Sequence, residues 1–254
     1  MVAKDRTPVS SSNSKRLAIF AVTNILFKIY FKLNTLQLCG KLINVVERPG
    51  FIESLRYFPV SDVVTYKYYI GRLKMFEDKY EEARECLSFA LRHCPLSEVR
   101  NRQRVLVSLV PVQMCLGIMP SVRIGQVYQL NMLQSLGKAV ELGDLKTFEE
   151  IMCTNQQSFI RIGIFLVLEQ VKLIAYRNLF KRVYLIKNTA HLWLGLFESV
   201  LKFLNEDMEL DEIECIVANL IFDGKIKGYI SHQRRHLILS KTNPFPTSAI
   251  IKNT

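Results

Sequence analysis

The chain has 254 residues, of which 49% are hydrophobic and 22% charged, a composition typical of a globular protein. Glycine (11) and proline (8) are scarce, which argues against a disordered, collagen-like or turn-rich β protein. Lys and Arg outnumber Asp and Glu by 34 to 23, and the net charge of +11 favours an anionic partner: nucleic acid, an acidic protein or a membrane surface.

The N-terminal region begins with a polar, serine-rich stretch over residues 1–14, which we expect to be flexible. Apolar residues then recur at helical spacing and predict helices over residues 15–33 and 36–47, the second ended by Pro49-Gly50. The first apolar stretch is interrupted by lysines and followed by no signal-peptidase site. The sequence therefore predicts neither secretion nor a membrane-spanning helix.

The segment from Tyr66 to Pro95 approximates the spacing of a tetratricopeptide (TPR) repeat. Small residues at Gly71 and Ala83 would let two antiparallel helices pack closely, and Asp78-Lys79 would form the turn between them. A generic helical hairpin is the alternative, because the sequence contains only one clear copy of the motif.

Further helices are predicted after this hairpin, over residues 98–116, 127–142, 144–155 and 159–188. We expect Pro111 to kink or split the first of them and Asp144 to cap the third. A succession of such helices over residues 15–160 is typical of a TPR-like solenoid, in which each repeat buries its face only against its neighbours.

The C-terminal region changes from helical to strand periodicity. Thr189 is expected to cap a helix that ends near residue 204, and Asp211 and Glu214 form a candidate capping box for the next helix. That helix has an apolar stripe of Leu210, Ile213, Val217, Leu220 and Ile221 and should end at Gly224. Alternating residues over 225–230 and 236–240 then predict a β-hairpin. Residues 161–247 are therefore interpreted as a winged helix, with Trp193 in its core and a tail over 248–254.

No motif for nucleotide, metal or nucleophilic chemistry is present in the sequence. The six cysteines have irregular spacing and no CxxC pair, and we expect them to be reduced and mostly buried, as in a cytosolic or nuclear protein. Two groups of potential metal ligands contain too few residues to predict a metal site. They are His93-Cys94 with Cys86, and His232 with His236. The sequence predicts no catalytic residue, cofactor or metal.

Two stretches of the C-terminal half are rich in basic residues and contain no acid. The candidate nucleic-acid contacts are Lys172, Arg177, Lys181, Arg182, Lys225, Lys227, Arg234, Arg235 and Lys241. Acidic residues over 206–214 crowd the start of the helix that would read the major groove and would repel DNA. We therefore expect backbone contacts by the wing and the basic helix. Ordinary solvated faces and contact with an acidic protein are the alternatives.

Five segments carry a resemblance to a known family. They are LFKIYFKLN (26–34), VTYKYYIGRLKMF (64–76), GIFLVLEQVKLIAYRNLFKRVYLI (163–186), DEIECIVANLIFDGKIKGYISHQ (211–233) and KTNPFP (241–246). They resemble the PCI-domain subunits of the TREX-two messenger-RNA export complex. Residues 120–160 match only loosely, and family members carry further helices ahead of the matched part.

The resemblance implies a non-catalytic scaffold in the nucleus, associated with nuclear pores, and also in the cytoplasm. Its implied partners are a large GANP-like scaffold subunit, a small acidic subunit shared with the proteasome lid, and RNA or DNA held by paired winged helices. The alternatives are a scaffold of another PCI assembly (proteasome lid, COP-nine signalosome or initiation factor) and a winged-helix transcription regulator. Because the first helix is apolar on more than one side, we also expect the isolated chain to self-associate or to need a partner.

Overall fold

The structure is a computed structural model that describes residues 14–47 and 57–246. The expected flexible N-terminus, the Pro49-Gly50 stop and the tail over 248–254 lie outside these ranges. The chain divides into two compact units, Met1–Leu109 and Val110–Thr254. In the part of the chain described, no helix combines the length and the apolar character needed to cross a membrane.

Helices dominate the described residues. A short 3-10 turn, Lys15–Ala18, precedes α1 (Ile19–Lys32), α2 (Gln37–Val46), α3 (Val60–Phe76), α4 (Tyr80–His93), α5 (Val99–Cys115), α6 (Val122–Val127), α7 (Asn131–Leu142), α8 (Leu145–Ile162) and α9 (Phe165–Lys187). The remaining elements are β1 (His191–Trp193), α10 (Leu194–Phe203), α11 (Leu210–Phe222), β2 (Gly228–Ser231) and β3 (His236–Leu239).

The first unit is built around the α3–α4 hairpin, which confirms the hairpin predicted from the sequence. A β-carbon at Gly71 would lie 2.6 Å from Leu87 Cγ, so the two helices approach more closely than any larger residue would allow. Ala83 and Leu87 are fully buried at this contact. The connecting turn passes through Asp78, whose φ is +57°. Phe20 of α1 packs edge-on against Tyr66 of α3, with ring centroids 5.0 Å apart.

The predicted helix boundaries between residues 98 and 188 need three corrections. The first helix is not split, since α5 runs through Pro111, flanked by the buried residues Val110 and Val112. The helix predicted over 127–142 begins only at Asn131, as α7. A short helix that was not predicted, α6, precedes it, and the turn between them contains Gln129, whose φ is +55°. The helix predicted over 144–155 continues for seven more residues, to Ile162, and the helix predicted over 159–188 begins only at Phe165. The break between them is at Gly163, whose φ is +82°.

The winged helix is confirmed, with one strand that the sequence pattern did not reveal. Its order is α9, β1, α10, α11, β2 and β3, and the strands form an antiparallel sheet in the order β1-β3-β2. Thr189 does not cap a helix, because residues 191–193 pair with β3 and α10 begins only at Leu194. Three residues are too few to show alternation, so β1 is specified by its pairing partner rather than by its own sequence.

The stripe predicted on α11 is confirmed in its register. Ile213, Val217 and Leu220 are fully buried, and Leu210 and Ile221 at its edges are half-buried. The capping box, however, is formed by Glu209 and Glu212 rather than by Asp211 and Glu214. The carboxylates of Asp211 and Glu214 instead point to the wing between β2 and β3, where they have other partners. Asp144 caps α8, as expected, and accepts a hydrogen bond from the Thr147 backbone N–H at 3.1 Å.

Trp193 does not lie in the core, contrary to the sequence expectation: half of its surface (50%) is exposed. It is the last residue of β1, and strand alternation places Leu192 in the core and Trp193 on the opposite side. The cysteines are also less buried than expected. Cys39, Cys94 and Cys115 are buried, Cys86 is half-buried, and Cys153 and Cys215 are exposed.

Candidate nucleic-acid interface

The wing is attached to the start of α11 by ion pairs. The Arg235 guanidinium donates hydrogen bonds to Asp211 and, at 2.6 Å, to Glu214, and His232 Nδ1 lies 2.7 Å from Glu214 Oε1. The hydrogen bond with His232 and the Arg235 charge hold the pKa of Glu214 below its usual range. Arg235 is therefore neutralised within the fold. The acidic start of α11 remains a poor surface for duplex DNA, as the sequence indicated.

Lys172 on α9 is also paired internally. Its ammonium contacts Glu149 of α8 and lies 3.7 Å from Glu206, which follows α10. Burial alone would lower the pKa of Lys172, but the hydrogen bond to Glu149 and the nearby carboxylates raise it. The stretch from residue 172 to 187 contains no acid in sequence, but Lys172 is paired in space, because Glu149 and Glu206 come from other parts of the chain.

Arg177, five residues further along α9, binds the chain after β3. Its Nη2 donates to the backbone carbonyls of Phe245 at 2.7 Å and Pro246 at 3.1 Å. The guanidinium carbon lies 5.6 Å from the centroid of the Phe245 ring, and Phe245 is buried. Burial lowers the pKa of Arg177. We name this contact the Arg177 clamp; sequence reasoning missed it, although the PFP run before the tail is a signal for a docked segment.

Lys225 is the last of the candidates with an internal ion pair. Its Nζ lies 3.1 Å from Asp223 Oδ2, and the residue is only partly exposed. Its backbone carbonyl also faces Arg177 Nε, at 3.5 Å. Lys225 therefore contributes little positive charge to the surface.

The remaining candidates are exposed and form no ion pair with any described residue: Lys181, Arg182, Lys227, Arg234 and Lys241. Lys181 lies on the same face of α9 as Arg177 and Tyr184, because the three are spaced i, i+4 and i+7. Both neighbours contact Phe245; the rings of Tyr184 and Phe245 are 5.7 Å apart. Lys181 therefore lies beside the docked segment.

The docked segment is the chain after β3, residues 241–246, and it also contacts residues that flank the β2–β3 hairpin. The Lys227 backbone N–H donates to the Pro244 carbonyl at 2.8 Å, and the Ser240 N–H donates to the Lys227 carbonyl at 2.8 Å, next to Lys241. Three lysines thus border the docked segment: Lys181, Lys227 and Lys241. We call these three residues the basic seam. Arg182 is the residue after Lys181 on α9, so its side chain projects from a different face of the helix. Arg234 lies in the turn between β2 and β3.

The basic seam can hold phosphates but offers no fixed geometry for reading bases. Ammonium groups on flexible stems act as point charges, unlike a guanidinium fork held by a second residue. Such contacts bind a polyanion with little regard to sequence. Among residues 14–47 and 57–246, no cluster of His, Cys, Asp and Glu is arranged to hold a metal ion.

Comparison with known proteins identifies both halves of the chain. Residues 3–136 match the family model described as PSMD3-like, N-terminal TPR repeats, and residues 145–241 match the PCI domain. The chain is 44% identical over 246 residues to PCI domain-containing protein 2 of Xenopus laevis, covering 96% of this chain and 61% of that protein. It is 30% identical over 265 residues to a Protein CSN12 homolog of Neurospora crassa, covering 97% of this chain and 58% of that protein. The chain thus spans about three fifths of the length of these relatives. It belongs to the PCI-domain proteins that carry N-terminal TPR repeats.

Proposed function

We propose that this chain is a non-catalytic scaffold subunit of a nuclear messenger-RNA export complex, and that it binds the backbone of nucleic acid through its winged helix. The basic seam is the observation that carries the nucleic-acid part of the proposal. Its three ammonium groups are exposed and have no counter-charge among the described residues, whereas Lys172, Lys225 and Arg235 are neutralised. The export part is supported by the resemblance of the five segments named above.

The acidic start of α11 argues against the alternative of a transcription regulator. A helix in the major groove approaches phosphates with its N-terminal residues, and here these include Glu209, Asp211 and Glu212. Phosphates would be repelled there and attracted at the seam. The proposal therefore predicts binding with weak dependence on sequence and on strandedness, and with strong dependence on salt.

Charge reversal tests the nucleic-acid part. In a Lys181→Glu/Lys227→Glu/Lys241→Glu variant, we expect affinity for RNA and DNA to fall at least about tenfold at low salt, because three phosphate contacts become repulsive. Fluorescence anisotropy with labelled oligonucleotides gives the affinities. The matched control is Lys28→Glu/Lys32→Glu/Lys41→Glu, which changes the same charge at exposed lysines of the first unit. Equal losses in the two variants would mean that net charge, not the seam, drives binding.

Exposed phenylalanines support the scaffold part of the proposal. Phe203 at the end of α10 is 86% exposed, and Phe222 at the end of α11 is 91% exposed. Aromatic side chains of this kind are typical anchors of protein interfaces. Within the proposal they face partner subunits, such as the large GANP-like scaffold and the small acidic subunit.

Affinity purification from nuclear extract tests the assembly. The proposal expects export-complex subunits to co-purify with the wild-type chain and to be lost from Phe203→Ser or Phe222→Ser. The matched control is Leu166→Ser, since Leu166 is also largely exposed, at 72%, but lies on α9. Recovery of lid, signalosome or initiation-factor subunits instead would assign the chain to another PCI assembly.

A further inference from the structure

The three strands of the winged helix present a second surface, away from the core. Strand pairing aligns two rows of residues across the sheet, two positions apart along the strands. The first row is His191, Ile238 and Tyr229, and the second is Trp193, His236 and Ser231. Leu192 and Leu237, which alternate with these residues, are fully buried. The two rows therefore share the outer face of the sheet.

This outer face carries exposed rings. Tyr229 on β2 is 63% exposed and Trp193 on β1 is half-exposed, while His191 is exposed and His236 is partly exposed. The indole of Trp193 is fixed from one side, since a β-carbon at Gly195 would lie 2.5 Å from its ring. Trp193 and Tyr229 lie two strands and one row apart, a separation of about 12 Å for ordinary strand spacing. The outer face thus presents two aromatic side chains, Trp193 and Tyr229, on the backbone of the sheet.

The surroundings of this face are positively charged. The segments 187–193 and 225–246, which contain all three strands and their flanks, include no Asp or Glu. Exposed cations border the sheet: Lys227 precedes β2, Arg234 lies in the turn between β2 and β3, and Lys241 follows β3. Rings with a cationic border match the chemistry of a single-stranded nucleic acid, whose bases stack and whose phosphates pair with lysine and arginine.

We propose that the outer face of this sheet binds single-stranded RNA or DNA by stacking unpaired bases on Trp193 and Tyr229, while the basic seam holds the phosphates. This inference rests on the proposed nucleic-acid function and adds to it a preference for single strands over duplexes. Backbone contacts alone treat a single strand and a duplex alike, whereas stacking requires bases that are not already paired.

Trp193 gives a direct readout, because it is the one tryptophan of the chain. Titration of the native protein with unlabelled oligo-uridine and oligo-thymidine should quench its fluorescence, with a midpoint that matches binding measured by anisotropy. A blunt duplex of the same length should bind without quenching. Comparison of the two oligonucleotides shows whether the strand is RNA, DNA or either.

Substitution tests the platforms independently. Tyr229→Ala and Trp193→Ala should each weaken single-strand binding at least about fivefold, the lower end for loss of one stacked base, and leave duplex binding unchanged. Tyr229→Phe and Trp193→Phe should restore it. Phe222→Ala removes an exposed ring that is not on the sheet and should have no effect. Tyr229→Ala keeps the test valid if loss of the Trp193–Gly195 contact unfolds the domain.

The outcomes separate this inference from the proposed function. Binding of single strand and duplex with equal affinity and no quenching would overturn the stacking platform and leave the basic seam intact. Binding to neither at low salt would overturn both. If the ring variants bind oligonucleotides normally but lose a partner subunit, the outer face is a protein interface and the inference is wrong.

Discussion

At the scale of single residues, the basic side chains that matter are distinguished by their partners rather than by their sequence neighbours. Lys172, Arg177 and Lys181 lie on one helix and looked alike in the sequence. The first is paired with acids and the second with backbone carbonyls; only the third is exposed and unpaired in the described chain. The acids that pair with Lys172 and the carbonyls that pair with Arg177 lie between 23 and 69 positions away. Local charge patterns do not contain that information.

The Arg177 clamp should stabilise the winged helix. Arg177→Ala removes charged hydrogen bonds to two partly buried carbonyls, which we expect to lower the free energy of unfolding by about 2 kcal/mol. Hydrogen exchange should also accelerate in residues 241–246. Arg177→Lys should restore only part of the loss, because an ammonium lacks the Nε and Nη1 donors that face Lys225 and Asn178 and the planar group that lies over the Phe245 ring. Arg182→Ala is the exposed control and should cost less than about 0.5 kcal/mol in a denaturant melt; similar losses for both residues would refute the clamp.

At the scale of elements, those with strong periodicity were predictable and those fixed by tertiary contacts were not. The α3–α4 hairpin and the stripe of α11 follow from local spacing, and the structure confirms both. By contrast, β1 exists because β3 pairs with it, and the break between α8 and α9 depends on one glycine inside a continuous apolar pattern. The capping box is formed by Glu209 and Glu212 and not by the predicted pair, because Asp211 and Glu214 form ion pairs with Arg235 of the wing.

The contact between the wing and α11 should depend on pH. The pKa of Glu214 is lower in the folded protein, so its contribution to stability is fully present above the unfolded value of about 4.3. It is lost as the pH falls through the lower, folded value. We therefore expect Glu214→Gln to be less stable than wild type at pH 7, with the difference shrinking between about pH 5 and pH 3. Denaturant melts at several pH values check this, and a constant difference would contradict it.

Release of Arg235 from the wing contact should strengthen nucleic-acid binding. In Asp211→Asn/Glu214→Gln, two negative charges disappear and the guanidinium becomes available to phosphates, so affinity for single strands and duplexes should rise several-fold at low salt. Adding Arg235→Gln should remove the part of the gain that comes from Arg235. Anisotropy titrations of the three proteins give the comparison. Unchanged or weaker binding by the double variant would show that this end of α11 lies away from the bound strand.

At the scale of the whole molecule, the chain has surfaces that its own described residues do not cover. One side of α1 is buried through Phe20 and Phe27, while the other exposes Val22, Ile25 and Ile29. Among the described residues, α1 is therefore buried on one side only. Exposed apolar rows of this kind are typical of an interior repeat, which stacks on a neighbour.

Self-association of the isolated chain should follow from this exposed row. We expect sedimentation velocity at tens of micromolar to show dimers or larger species, and Ile25→Glu/Ile29→Glu to shift them toward the monomer. Lys28→Glu/Lys32→Glu also places two carboxylates on this helix but removes no apolar side chain, so it separates the effect of negative charge from that of the apolar row. A wild-type chain that is a monomer throughout, and that binds no apolar dye, would show that α1 needs no partner.

The central claim is that phosphates bind at the basic seam, and the salt dependence of binding tests it most directly. For a single strand, each phosphate contact contributes about 0.7 to the slope of log K against log salt concentration. Replacing Lys181, Lys227 and Lys241 with glutamine should therefore make the slope less steep by about 2, while the same change at Lys28, Lys32 and Lys41 leaves it unaltered. An unchanged slope in the seam variant would place the phosphate contacts elsewhere and contradict the account.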